Sequence, residues 1–175
     1  SKSYLENNNF ADPYCKFDDL LQTNNDIIIL SGSINGLVGK LFNKGLFKEI
    51  EKIYKQLNEK FSDNFYIEIQ RHGDINEKNL EIFNLSLSKD LEIPIIASHE
   101  VYYLDKDLYD AHDALMCIGS KTYINDKSRL KLSGHHYFKN NDEMFKLFYD
   151  LPEALENNFN LPLRCSYRPT KSKPL

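Results

Sequence analysis

The chain has no tryptophan, only three cysteines and no excess of positive charge. Nowhere does an apolar run approach the ~18 residues that a membrane-crossing helix needs, so no such helix is expected. Cys15, Cys117 and Cys165 are odd in number and far apart, which suits neither a disulfide framework nor a paired-cysteine zinc site. Three reduced thiols, with no leader-like segment at the start, make a cytoplasmic protein the expectation. A formal net charge of -4 and a pI near 5.7 give no bulk attraction to nucleic acid, so any polyanion contact has to be local. Asn, Lys and Ile are abundant, a bias that reads as a property of the coding sequence, and no mechanism is placed on the Asn runs at 7–9 and 157–158. No internal repeat or low-complexity domain stands out.

What is present suffices for a core. Apolar residues make up 41% of the chain and aromatic residues 13%, and 175 residues fit one domain. Three short apolar segments, residues 27–30, 65–70 and 93–98, read as strands. The middle one alternates, placing Ile67 and Ile69 on one face and Tyr66, Glu68 and Gln70 on the other. A carboxylate on an inner strand face is costly to desolvate unless a metal, a cation or hydrogen-bond donors compensate it. The alternative is an exposed edge strand with a solvated Glu68. Gly73 ends this strand and leaves Arg71 and His72 at its C-terminal lip, where α/β barrels build their sites.

Between the strands lie helical patterns: a short one over 36–42, then an apolar stripe over 46–61. A third begins at an Asp74 or Asn76 cap and turns Leu80, Ile82, Phe83, Leu85, Leu87 and Leu91 inward. Strand, helix, strand, helix, strand is the rhythm of a parallel sheet. Residues 107–118 predict a helix with Leu108, Ala111, Leu115 and Ile118 on one side. The basic stretch from Lys121 to Lys131 reads as a solvated loop, with phosphate contact as its alternative. Asn140 or Asn141 caps a helix bearing Met144, Phe145, Leu147 and Phe148, and Pro152 opens a last helix running to about Cys165. The division expected is 1–120, 121–166 as connector and helices, and 167–175 as a basic, proline-rich linker. Three strands cannot close a barrel, so the chain is either a small open sheet or a piece of something larger, the latter being the expectation.

Several segments in order carry a resemblance: Tyr66-Ile67-Glu68-Ile69-Gln70-Arg71-His72-Gly73, Ile95-Ile96-Ala97-Ser98-His99-Glu100-Val101-Tyr102-Tyr103, Asp110-Ala111-His112-Asp113, His136-Tyr137-Phe138-Lys139 and Asp150-Leu151-Pro152-Glu153. The series resembles the PHP (polymerase and histidinol phosphatase) domain of bacterial replicative DNA polymerase III alpha subunits, particularly their alphaproteobacterial form. That resemblance implies an α/β fold, the later half of a distorted (β/α)7 barrel, followed by a helical segment leading toward the polymerase palm. It places the family's opening His-x-His motif upstream of these residues.

The resemblance also implies a site. Metal-competent members bind two or three divalent ions, and Glu68 falls on their strand carboxylate. Their final Asp-x-His falls on Glu100-Val101-Tyr102, which keeps an oxygen at Glu100 and loses an imidazole at Tyr102. A phenol with pKa near ~10 ligates poorly at neutral pH. Glu100 and Tyr102 share strand parity with Ser98 and are expected to face the site, while His99 has the opposite parity. His72 either supports a ligand from behind or bonds to backbone, the latter being the expectation. His112 is expected to pack or cap, because Asp110 and His112 lie two apart on a helix and point away from each other. His136-Tyr137-Phe138 reads as a docking strand or turn.

Two function classes follow. In the first, the region is a metal-degenerate scaffold of a replicative polymerase whose Mg2+ site and primer–template contacts lie outside this chain. It would dock other polymerase subunits, among them a proofreading exonuclease. In the second, it is a metal-dependent phosphoesterase or 3′–5′ exonuclease. A free-standing barrel enzyme with a small-molecule substrate is disfavoured by the match through Asp150-Leu151-Pro152-Glu153.

Overall fold

A computed structural model describes residues 14–23, 26–168 and 171. Three parallel strands, β1 (Ile29–Leu30), β2 (Phe65–Gln70) and β3 (Ile95–Ser98), form one sheet in that spatial order. Ile29 pairs with Phe65, and Ile67 to Gln70 pair with Ile95 to Ser98. The helices are α1 (Phe17–Leu21), α2 (Leu37–Asn43), α3 (Phe47–Phe61), α4 (Ile75–Leu91), α5 (Tyr109–Ser120), α6 (Asn141–Leu147) and α7 (Pro152–Arg164). The linker expected at 167–175 falls mostly outside the described residues. No barrel closes among the described residues.

β2 is the central strand, which explains its composition. Phe65, Ile67 and Ile69 are at most 1% exposed. Burying each contributes about 1.5–3 kcal/mol. They pack with Ile50, Tyr54 and Leu57 of α3, Leu80 and Leu87 of α4, and Ile95 and Ala97 of β3. β1 is shorter than the segment 27–30, with Ile27 and Leu30 both more than a third exposed. β3 starts after Pro94, which has no amide to donate; its carbonyl instead accepts from Ile67 (2.9 Å). α7 packs along β3, and Asn157 Nδ2 donates to the Ile95 carbonyl (2.8 Å), covering the outer edge.

Two helices turn differently from the periodicity. In α4, Ile82 points outward at 62% exposed, while Asn84 is buried at 1% and accepts from the Tyr54 hydroxyl (3.0 Å). In α5 the expected inner face is the outer one: Leu115 is 64% and Ile118 75% exposed. A 3-10 turn at Lys106–Leu108 precedes the helix, so it starts at Tyr109 rather than 107. Asp113 and Cys117 are buried instead, because Arg129 binds Asp113 through two parallel bonds (2.6 and 2.7 Å). That pair corrects the solvated-loop reading of the basic stretch at Arg129. Phe145 of α6 likewise faces out, whereas Phe148 is fully buried.

Candidate functional site

The strand ends build a lip around His72. Gly73 takes φ +87°, a conformation glycine adopts freely, and turns the chain from β2 into α4. Asp74 caps α4 by accepting from the Asn76 amide (2.7 Å). This places Glu77, in the first turn, directly on His72. Glu77 accepts from the His72 amide (2.6 Å) and from ring Nδ1 (2.7 Å). His72 Nε2 accepts the Glu100 amide N–H at 3.1 Å. An accepting Nε2 excludes the imidazolium and puts the ring proton on Nδ1. His72 is therefore a neutral ring, 2% exposed, with both nitrogens committed.

Histidines flank it on both sides. His136 stacks on His72 at 4.1 Å and 6°, and His99 at 4.4 Å and 29°. The parity argument places His99 away from the site, but alternation stops where β3 ends at Ser98, and the ring swings onto His72. Burial pushes His99 down to about 4 and also lowers His136. Both outer rings are thus neutral at pH 7. Lys139 Nζ lies 2.6 Å from the His135 carbonyl and 3.0 Å from His99 Nε2; burial lowers it too. His136-Tyr137-Phe138 runs beside residues 102–104: the Tyr102 amide donates to the His136 carbonyl and the Phe138 amide to Tyr103, both 2.9 Å.

Glu68 lies apart from this stack. One carboxylate oxygen accepts from Gln70 Nε2 (3.0 Å) and, in a short contact, from the Ser98 hydroxyl. Neutral donors therefore compensate its burial. The crevice beside it holds about 10 Å3, close to the room one water needs. A larger cleft of about 490 Å3 adjoins it, sharing Gln70 and Glu77, and is lined also by His72, Glu100, Lys131, Ser133 and His136. Glu100 accepts from the Tyr102 hydroxyl (2.8 Å), a bond that raises the phenol above its ordinary value. Tyr102 is 48% exposed. His112 packs on Tyr102 and Tyr103 with ring centroids 5.7 and 5.2 Å away.

These residues do not fit a metal cluster as arranged. Glu68 and Glu100 line different cavities, His72 has no free nitrogen, and Tyr102 spends its hydroxyl on Glu100. Among the described residues no three His, Cys, Asp or Glu side chains group so as to hold an ion.

Sequence reasoning passed over Glu77 and the Asp113–Arg129 pair, and used Ser98 only to set strand parity. Only Glu77 leaves a local signal, as an acid three residues after the Asp74 cap.

The chain forms a small parallel sheet with helices, and the PHP domain family matches its residues 1–72. Glu68 and His72 lie in that match; His99, Glu100, Tyr102 and His112 lie beyond it. Over all 175 residues the chain is 33% identical to DNA polymerase III subunit alpha of Caulobacter vibrioides, spanning 15% of that protein. The same-named proteins of Rickettsia bellii and Haemophilus influenzae are each 34% identical, over 91% and 95% of this chain and 14% of their own length. The chain is similar to these alpha subunits over nearly its whole length and spans about 15% of theirs. No helix among the described residues is long and apolar enough to cross a membrane.

Proposed function

We propose that this chain is the PHP-region segment of a replicative DNA polymerase alpha subunit, acting as scaffold and docking module rather than as a hydrolase. DNA synthesis on primer–template DNA, with its Mg2+ ions, belongs to other parts of such a polypeptide in the cytoplasm. The strand lip braces the helical segment that leads toward the palm and offers a surface to other polymerase subunits, a proofreading exonuclease among them. One observation carries this reading: one oxygen of Glu68 and both His72 nitrogens are taken up by protein donors and acceptors.

The test is Glu68→Ala in the full-length polymerase. Primer extension and capture of the exonuclease subunit in chelator are expected to stay within about twofold of wild type, the usual scale for a substitution away from a reaction centre. Hydrolysis of a DNA 3′ end by the wild-type subunit, abolished by Glu68→Ala, would instead establish the phosphoesterase reading, in which a metal-activated water attacks the phosphodiester.

A further inference from the structure

Residues 121–139 run past the strand lip, and from them Leu130 to Ser133 with His136 form one wall of the cleft over His72. This strap has few apolar anchors: Tyr123, Ile124, Leu130 and Phe138 are all at least 60% exposed. Polar contacts fasten it instead. The Ser133 hydroxyl donates to the His72 carbonyl (2.8 Å), the Tyr109 hydroxyl to the Leu132 carbonyl (3.0 Å), and His136 lies flat on His72. Its buried ion pair is Arg129 with Asp113, the side chains 5% and 11% exposed. Arg129 also donates from Nε to the Ile124 carbonyl (3.2 Å), so one guanidinium gathers the strap and ties it to α5. Helix α5 in turn has its apolar side in solvent and meets the lip through His112 against Tyr102 and Tyr103.

We propose that the strap and α5 form a latch over the lip, held shut by the Asp113–Arg129 pair, and that breaking this pair opens the His72–Glu77 dyad to solvent while the sheet stays folded. The polar fastening gives this device its character. A segment held by apolar burial loosens gradually, whereas one held by a paired buried charge has no good half-open state, because either partner left alone is buried unpaired. Low apolar anchorage also places the strap at the low-stability end of the fold. The latch is independent of the polymerase reading and asks nothing of a bound metal.

The test uses the full-length protein with two single variants, Asp113→Asn and Arg129→Met, followed by amide hydrogen exchange. The Tyr102 and Phe138 amides, bonded across the strap, are expected to exchange about tenfold faster or more in both variants, as for a local opening. The Ile67 amide, bonded within the sheet to Pro94, is expected to be unchanged. Carbethoxylation of His72 and His136 by diethyl pyrocarbonate is expected to rise in parallel. Unchanged exchange at Tyr102 and Phe138, a rise in one variant only, or an equal rise at Ile67 would each overturn the latch.

Discussion

Replacing Glu77 with alanine isolates what its carboxylate does at the lip. Glu77 accepts two hydrogen bonds from one residue, the His72 amide and the His72 ring, at 2.6 and 2.7 Å. His72 is 2% exposed, so both donors lose their acceptor where water cannot easily replace it. A buried donor left unpaired costs about 1–3 kcal/mol. Two of them, partly relieved by water entering the vacated space, amount to about 3 kcal/mol of local stability. At about 1.4 kcal/mol per decade, the open population rises roughly 100-fold. The Glu100 amide is the reporter: it bonds to His72 Nε2, on the far side of the ring from the substitution. Hydrogen exchange of that amide in the full-length protein should quicken by about that factor. A rise below about threefold would refute the reasoning, because His72 would then be held without Glu77.

The same pair predicts a pH dependence. Burial alone would raise the Glu77 carboxyl, but the His72 hydrogen bonds and the Asp74 backbone hold it below its ordinary value of 4.5. A depressed folded value gives stability that is present above 4.5 and lost as pH falls through the folded value. The acid limb of an unfolding profile should therefore be shallower in Glu77→Gln than in wild type. Tyr54→Phe removes the donor to Asn84 in the core and should lower stability by about 1–3 kcal/mol, read from the urea midpoint by circular dichroism. Gly39→Ala drives a methyl group into the Ile34 backbone at a buried turn of α2 and should prevent soluble expression at 37 °C, whereas Gly119→Ala, with open space around it, should be neutral.

How much the sequence told depended on the range of each signal. β2 lies at Phe65–Gln70, where alternation and apolar density mark it, and Asn140 and Pro152 open their helices by short-range chemistry. Local rules fail where a partner is distant. The apolar side of α5 looks like an inner face until Arg129, sixteen residues beyond Asp113, supplies the charge that lets the acidic side turn in. Ile82 and Asn84 trade places in α4 because the Tyr54 hydroxyl, thirty residues upstream, gives Asn84 a buried partner. At the site, alternation set the strand face of Glu68 but left open whether that face is covered or solvated; the structure half-buries it against Ser98 and Gln70. The imidazole stack was not legible. It needs β3 to end at Ser98 and the strap to return His136 across the lip, neither of which any periodicity encodes.

Divalent-metal content, measured by mass spectrometry on full-length wild type and Glu68→Ala purified side by side, tests the scaffold reading most directly. The account predicts equal metal per molecule, because one Glu68 oxygen already accepts from Ser98 and Gln70. A deficit of one or more ions in Glu68→Ala would contradict it.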